Sequence, residues 1–355
     1  MVSKQLGSSP EESTAPHSLR DVAQLAGVSV ATASRVMSGS SHPVSEEARS
    51  RVLSAADRLS FVPNRLARAL VTTRSQTVGV IVHDISDPYF GDIVKGLENG
   101  IHARGYQLFV ANSDRDPEKE LDYVRALAAN QVDGIVFAAS SLTDPHYVET
   151  LQTLATRFLA RRGVIVLLSD HFLEGPRVLF DNRRAVADMV GYLVYRGHRR
   201  IAYISGPPDL EVSHVRLAGF EDAVATFGLN AGQEYVADGR FTVKGGEAAV
   251  AELLERVDVT AVLAANDLMA IGATRRLLSS GITVPHDISV AGLDDIAIAE
   301  YGPVPLTTMQ VPTYEVGRQG ASLLLEALDG GSPADIRLKG RIIERDSVAS
   351  IGRSA

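Results

Sequence analysis

The chain of 355 residues contains no cysteine. This absence excludes disulfide bonds, thiolate catalysis and metal sites built on cysteine ligands. The sequence also lacks an apolar run of the roughly 20 residues that a membrane-spanning helix needs. Residues 1–17 are polar and have no hydrophobic stretch typical of a signal peptide. We therefore expect a disordered tail over residues 1–17 of a cytoplasmic protein that does not bind a membrane.

Motifs of common enzyme classes are missing as well. The sequence has no G-x-G-x-x-G, no P-loop, no G-x-S-x-G elbow and no H-E-x-x-H. Its nine histidines are scattered without ligand spacing, and His198 lies in a turn-like RGHRR segment. We therefore expect a protein that is not an enzyme, with no catalytic residues, no cofactor and no metal ion. A sugar- or nucleotide-processing α/β enzyme stays open as an alternative, but it would need a catalytic constellation.

Charge is distributed unevenly along the chain. The net charge is −8, yet residues 1–75 carry nine lysines and arginines against six acids. A basic head on an acidic body is typical of a DNA-binding module joined to a domain that does not contact DNA. Hydrophobic residues make up 45% of the sequence, enough for a sizeable core in the body.

The N-terminal region has the pattern of a helix-turn-helix. Ser18 and Asp21 have the spacing of a capping box, and Gly27 can end the first helix in a left-handed conformation. Ser29 can cap a second helix over residues 30–37, and a third helix follows from Ser45. In this motif the second helix enters the major groove of DNA. The residues that we expect to meet DNA from this helix are Val30, Ala31, Thr32, Ser34 and Arg35.

These five side chains suit different parts of a DNA duplex. Arg35 can donate two hydrogen bonds to guanine or bind a phosphate. Val30 and Ala31 offer apolar contact to a thymine methyl group, whereas Thr32 and Ser34 are donors suited to phosphate. A small three-helix bundle without DNA-binding function would show a similar helical pattern.

From Thr77 onward, short apolar runs alternate with amphipathic helical stretches. Continuous hydrophobicity predicts strands that are buried on both faces, and strand–helix alternation predicts parallel sheets. The runs are too numerous for one sheet, so we expect an α/β body with two Rossmann-like lobes. The apolar runs that we expect to form strands occupy residues 78–82, 107–112, 134–139, 164–170, 200–206, 261–267 and 288–294.

Two segments, LRDVAQLAGVSVATASRVMSG and VSEEARSRVLSAADRLSFVPNRLARAL, resemble the headpiece of the LacI-type (lac repressor/purine repressor) family of bacterial transcriptional regulators. The similarity continues along the rest of the chain. It implies an all-α helix-turn-helix headpiece followed by a two-lobed sensor domain with the periplasmic-binding-protein fold. It also implies a repressor that binds a pseudo-palindromic operator in double-stranded DNA as a homodimer and responds to a small-molecule effector.

The resemblance also divides the chain. The headpiece would occupy residues 18–62, the hinge helix and linker residues 63–75, and the effector-binding and dimerisation domain residues 76–355. In that domain the N-lobe would comprise about 76–181 and 310–340, and the C-lobe about 182–309 and 341–355. The first helix of the body, residues 90–104, would help form the dimer.

The hinge adds three expected DNA contacts. The resemblance implies that Leu70 enters the minor groove, where an apolar wedge unstacks a base step and bends the duplex. Asn64 begins this short segment and Arg68 would face a phosphate. Alternatively, Leu70 is an apolar residue of an ordinary linker.

Effector contacts are expected at the carboxyl ends of strands, where open α/β sheets bind ligands. One arginine, several acids or amides and aromatic faces suit a polyol or a heterocycle. The segment 207–212 lacks the polar side chains of purine-binding relatives, so a sugar or related polyol is favoured. A solute-binding protein of a transport system is the other alternative, although it would have no headpiece. The residues that match the family's pocket are Tyr89, Phe90, Asp170, Arg216, Phe241, Asn266 and Asp294.

Overall fold

The computed structural model describes residues 17–38, 42–61, 74–230 and 232–352. The chain divides into two compact units, residues 1–75 and residues 76–355. Residues 1–16 of the predicted tail over residues 1–17 lie outside the described residues, as do the hinge residues Asn64, Arg68 and Leu70. Among the residues described, no helix combines the length and the apolar character needed to cross a membrane.

The first unit contains three short helices, α1 (Leu19–Ala26), α2 (Val30–Ser38) and α3 (Glu46–Arg58). The predicted capping box is present, because Ser18 N donates to Asp21 Oδ2 over 2.7 Å and Asp21 N donates to Ser18 Oγ over 3.4 Å. Gly27 ends α1 with φ of 65°, a conformation that costs glycine little. The three helices share one small apolar core, formed by Val22, Ala23, Ala26, Ala33, Val36, Val52, Ala55 and Ala56.

The second unit begins with one lobe of alternating strands and helices, which we call the N-lobe. Its sheet has the order β2-β1-β3-β4, and all its strands are parallel. Val80 and Ile81 in β1 belong to different apolar clusters, which confirms a strand buried on both faces. The elements are β1 (Thr77–Val82), α4 (Pro88–His102), β2 (Gln107–Asn112), α5 (Pro117–Ala129), β3 (Gly134–Phe137), α6 (Pro145–Leu159) and β4 (Val164–Leu167).

After β5 (Val178–Phe180) the chain enters a second lobe, the C-lobe, with a second mainly parallel sheet. A short 3₁₀ turn, Gln233–Tyr235, precedes its second strand. The elements are α7 (Asn182–Tyr195), β6 (Ile201–Ser205), α8 (Glu211–Phe227), β7 (Val236–Asp238), α9 (Val243–Arg256), β8 (Ala261–Ala264), α10 (Asp267–Ser279), β9 (Ser289–Asp294), α11 (Ile298–Tyr301) and β10 (Thr307–Gln310).

The last part of the chain returns to the N-lobe and then rejoins the C-lobe. The helix α12 (Thr313–Leu328) packs against α4, and β11 (Ile336–Leu338) pairs with β5. Finally β12 (Arg341–Ile343) pairs antiparallel with β10 and completes a sheet of order β12-β10-β9-β8-β6-β7. The chain therefore passes between the lobes three times, and both lobes have the predicted α/β architecture.

The expectation that every apolar run is buried on both faces is wrong for β2. Phe109 and Val110 expose 51% and 45% of their surface. The physical reason is position: β2 forms the edge of its sheet and pairs only with β1. Some runs were also predicted too long, since β3 ends at Phe137 whereas Ala138 and Ala139 leave the sheet and line a cleft.

Candidate ligand cleft and nucleic-acid interface

A cleft lies between the two lobes at the carboxyl ends of their strands. It has a volume of about 470 Å³, part of which is open to solvent. Six of the seven predicted effector residues line it: Tyr89, Phe90, Arg216, Phe241, Asn266 and Asp294.

Arg216 is the central cation of the C-lobe wall. It belongs to α8 and is only 4% exposed. Its Nε donates to Asn182 Oδ1 over 2.8 Å, its Nη1 donates to the carbonyl of Ala265, and its Nη2 lies 3.4 Å from Asp294 Oδ1. Because one acceptor holds each nitrogen, the guanidinium has a fixed orientation, and the remaining N–H groups can serve a ligand.

Asp294 ends β9 in an unusual backbone conformation, with φ of 119°. Burial raises the pKa of its carboxyl group to about 7, while the neighbouring Arg216 opposes that rise. At neutral pH the carboxyl group therefore exists in both protonation states. Hydroxyl groups of a ligand would donate to the ionised form and favour it.

A second buried acid, Asp267, interacts electrostatically with Asp294. It accepts hydrogen bonds from Thr308 Oγ1 over 2.6 Å and from Ile296 N over 2.9 Å. Burial and the charge of Asp294 raise the pKa of Asp267 well above its ordinary value. Asp295, the next residue along, instead pairs with Arg345 at 2.7 Å.

Asp170 does not line the cleft, unlike the other predicted effector residues. Its Oδ2 accepts from Asn182 Nδ2 over 3.0 Å, and Asn182 in turn accepts from Arg216. Asp170 is therefore placed to orient Asn182, and through it Arg216. Sequence reasoning missed Asn182, which is the first residue of α7 and resembles an ordinary helix start.

Asn266 has two tasks in the structure. Its Oδ1 accepts from Met269 N over 3.0 Å and so caps α10. It is only 3% exposed and lines the cleft. With the oxygen engaged at the helix, the amide nitrogen is the group that it can offer to a ligand.

Aromatic rings enclose the cleft from both lobes. Tyr89 and Phe90 begin α4 and contact each other edge to face at 5.2 Å. Burial and the charge of Asp294 raise the pKa of the Tyr89 hydroxyl well above its usual range, although part of the ring is exposed. Phe241 comes from the C-lobe, has φ of 55° and packs close to Gly206.

Three further titratable residues of the N-lobe line the cleft and were missed by sequence reasoning: His83, Asp87 and Arg115. Asp87 Oδ1 accepts from Tyr89 N over 3.0 Å and caps α4. His83 directly follows β1 and Arg115 lies shortly after β2. Their positions at strand ends were the signal that could have identified them.

In the first unit, α2 exposes one face that carries both polar and apolar side chains. The five residues predicted on it include Val30, Ala31, Ser34 and Arg35, which are all exposed. Thr32 is half-buried, and its Oγ1 lies 2.9 Å from Ser29 Oγ. Thr32 N also donates to Ser29 Oγ over 3.1 Å, which confirms Ser29 as the cap of this helix.

His198 has structural hydrogen bonds. Its Nδ1 lies 3.1 Å from Thr260 Oγ1 and its Nε2 lies 3.1 Å from the carbonyl of Ala349. Within the described ranges, no group of three or more potential metal ligands comes together.

Comparison with known proteins gives consistent results over almost the whole chain. Residues 18–64 match the family model "Bacterial regulatory proteins, lacI family", and residues 190–348 match a periplasmic binding protein-like domain. The chain is 34% identical to the HTH-type transcriptional repressor CytR of Escherichia coli K12, over 88% of this chain and 90% of that protein. It is 36% identical to the HTH-type transcriptional regulator CelR of Thermobifida fusca, over 90% of this chain and 94% of that protein.

Solved structures show the same similarity. The lac repressor dimer bound to operator and an anti-inducer matches with a TM-score of 0.81 and 27% identity, over 94% of this chain and 100% of that chain. A complex of the regulator CelR with cellobiose matches with a TM-score of 0.69 and 33% identity, over 93% of this chain and 99% of that chain. The chain therefore belongs to the lacI family of bacterial regulatory proteins, which are ligand-responsive transcriptional regulators that bind DNA.

Proposed function

We propose that this regulator is a repressor whose affinity for its operator is controlled by a sugar or related polyol in the cleft between its lobes. The observation that carries this proposal is the buried pair of Arg216 and Asp294, 3.4 Å apart, which faces the cleft opposite Tyr89. An ionised carboxylate accepts from two hydroxyl groups and a guanidinium donates to others, so the pair suits a vicinal diol.

The remaining lining residues extend this interpretation. Tyr89, Phe90 and Phe241 offer ring faces or edges to the carbon skeleton of a ligand, and Asn266 offers an amide. Asp170 would act through Asn182 and Arg216 rather than by contact with the ligand. Two relatives support a sugar-like effector: CelR is solved with cellobiose, and a regulator from Enterococcus faecium with ribose.

DNA binding is assigned to the headpiece and the hinge. The exposed residues of α2, with Arg35 as the main determinant of sequence, would enter the major groove. Leu70 would enter the minor groove, with Asn64 and Arg68 at the adjacent backbone. This assignment rests on the sequence pattern and on the lac repressor relative, which is solved as a dimer on its operator.

A homodimer would match the two-fold symmetry of a pseudo-palindromic operator. The exposed apolar residues Phe109 and Val110 on the edge strand β2 support an interface on the N-lobe, because exposed apolar patches often mark protein contacts. The helix α4 buries one face against α12, so only its other face is available for the predicted dimer contact.

The ligand site binds rather than catalyses in this proposal. Arg216 pairs with Asp294, Asp87 caps a helix, and the relatives are transcriptional regulators. Cytoplasmic residence follows from the same proposal, because the operator DNA is there.

The full chain provides the test. Genomic fragments that it binds in a gel-shift assay give the operator, and thermal-shift screening of sugars and polyols identifies the effector. A ligand present at 100 times its Kd stabilises the protein by about 2.7 kcal/mol, which is easily detected. The proposal requires that a compound found this way changes operator affinity, and that Asp294→Ala removes this change. If stabilising sugars leave operator affinity unchanged, the proposal fails.

A further inference from the structure

The N-lobe wall of the cleft contains a cation, Arg115, that forms no ion pair with any acid among the described residues. The guanidinium of Arg115 lies over the ring of Phe241, with its central carbon 5.9 Å from the ring centroid. Its Nε is buried and has no hydrogen-bond partner. In the part of the chain that the structure describes, no carboxylate lies within ion-pair distance of Arg115. A buried donor left without an acceptor is costly, so a partner from outside the protein would be favoured.

The acids closest to Arg115 in the sequence and in the cleft are already engaged. Asp114 accepts from Asn112 and from Lys119. Asp87 caps α4, and burial raises the pKa of its carboxyl group while the charge of Arg115 opposes that rise. Neither carboxylate therefore satisfies the buried Nε of Arg115.

The backbone holds Arg115 in this position at an energetic cost. Asp114 and Arg115 have φ of 55° and 60°, and Phe241 on the opposite wall has φ of 55°. Left-handed conformations are unfavourable for residues other than glycine and are found preferentially at ligand-binding sites. Two left-handed segments thus meet across the cleft: one carries the guanidinium of Arg115, and the other carries the ring of Phe241.

A second unsatisfied polar atom lies on the same wall. His83 is 3% exposed, lines the cleft with Arg115, and its Nε2 has no hydrogen-bond partner. Burial and the charge of Arg115 lower the pKa of His83 to about 3, so the ring is neutral when the cleft is empty. An anionic group on a ligand would accept from Arg115, and a hydroxyl group beside it could hydrogen-bond to His83.

We propose that Arg115 and His83 form a subsite for an anionic group of the effector, so that the effector is a sugar acid or a sugar phosphate rather than a neutral sugar. The inference rests on the proposed function of the cleft. Arg216 and Asp294 would bind hydroxyl groups from the C-lobe wall, and Arg115 would bind a carboxylate or phosphate from the N-lobe wall. A bidentate arginine contact is well suited to either anion.

Paired probes test this subsite with the full chain. Glucose is compared with glucuronate and glucose 6-phosphate, and ribose with ribose 5-phosphate, while inorganic phosphate is tested alone. Binding is measured by calorimetry and thermal shift for the wild type, Arg115→Gln and the control Arg125→Gln. The control removes the same charge from an exposed pair with Asp122 on the N-lobe, outside the cleft.

We expect an anionic probe to bind about tenfold or more tightly than its neutral partner, as a charge-assisted hydrogen bond would give. Arg115→Gln should remove this preference and Arg125→Gln should keep it. The comparison of glucuronate with glucose 6-phosphate separates a carboxylate from a phosphate. If Arg115→Gln does not fold, Arg115→Lys serves instead, because it keeps the positive charge but lacks the guanidinium and its Nε. A preference for the anionic probe that is reduced several-fold in Arg115→Lys supports the subsite.

Other outcomes overturn either this inference or the proposed function. If no anionic probe binds, or if Arg115→Gln keeps the preference, the subsite is refuted. If neutral sugars change operator affinity while the anionic probes do not bind, the proposed function stands and the subsite is refuted. If anionic probes bind through Arg115 but never change operator affinity, the subsite stands and the proposed function fails.

Discussion

The unusual pKa of Asp294 makes a quantitative prediction about effector binding. In the empty cleft this pKa is about 7, raised from an ordinary value of 3.8 mainly by burial. Hydroxyl groups that donate to the carboxylate stabilise its ionised form and lower the pKa in the complex. Binding should therefore release a proton, and effector affinity should decrease as the pH falls through 7.

The size of the effect follows from the ionised fraction. With a pKa of about 7, roughly one tenth of the carboxyl groups are ionised at pH 6 and roughly nine tenths at pH 8. Affinity should therefore fall by about tenfold between pH 8 and pH 6. Of the groups around Asp294, Arg216 stays charged throughout, and burial and the charge of Asp294 keep the Tyr89 hydroxyl protonated. Burial also raises the pKa of the carboxyl groups of Asp87 and Asp267, so the comparison with Asp294→Asn is needed to identify the carboxyl group that titrates. His83, with a pKa of about 3, is neutral across this range in the empty cleft.

Calorimetry in two buffers with different ionisation enthalpies measures the released proton directly. The ligand for this experiment is a compound identified by the thermal-shift screen. Asp294→Asn supplies the comparison, since it cannot titrate and should bind weakly with little dependence on pH. Proton uptake in the wild type, or equal proton release in the wild type and in Asp294→Asn, would refute the assignment of Asp294 as the titrating contact.

Three further predictions concern DNA binding, helix packing and assembly. Arg35→Ala should weaken specific operator binding by about 1–3 kcal/mol with a smaller loss on random DNA; an equal loss on both would make Arg35 a phosphate contact. Gly317→Ala should destabilise the fold by about 1–3 kcal/mol in urea unfolding, because a Cβ would lie 2.0 Å from the carbonyl oxygen of Ile93 on α4. The control Gly91→Ala, where a Cβ meets no atom within 4 Å, should be neutral or stabilising, and equal losses in both variants would contradict this reasoning. Phe109→Asp should weaken a dimer in sedimentation experiments, whereas a similar change at the exposed Tyr195 should not; unchanged assembly in both would remove β2 from the interface.

Local signals in the sequence determine much of this fold. Capping at Ser18 and Ser29 and the left-handed turn at Gly27 depend on residues only a few positions apart, so the headpiece helices were predictable. The buried parallel strands were predictable because each is marked by a continuous apolar run within a few residues of sequence. The short strands β5, β7, β10, β11 and β12 were not, because a segment such as Thr307–Gln310 has no continuous apolar run and is fixed by its neighbours in the sheet.

The site shows the same division between local and tertiary information. Arg216 and Asp294 were identified from the family pattern, and both line one cleft, Arg216 from α8 and Asp294 from the end of β9. Arg115 was missed because its orientation depends on two consecutive left-handed residues and on an aromatic ring from the other lobe. Asp170 had the expected position at the end of its strand, but Asn182 lies between it and Arg216, and only the tertiary structure shows this.

Asn182 also indicates how ligand binding could reach the connections between the lobes. It begins α7 directly after β5, where the chain first enters the C-lobe. Its side chain bonds to Asp170 on the N-lobe side and to Arg216 on the C-lobe side, over 3.0 Å and 2.8 Å. A ligand that competes for the N–H groups of Arg216 would therefore act on a hydrogen bond at the first crossover itself. A ligand shifts an equilibrium only through different affinities for two arrangements, so we expect this link to affect the angle between the lobes only if the hydrogen bonds of Asn182 differ between two lobe arrangements.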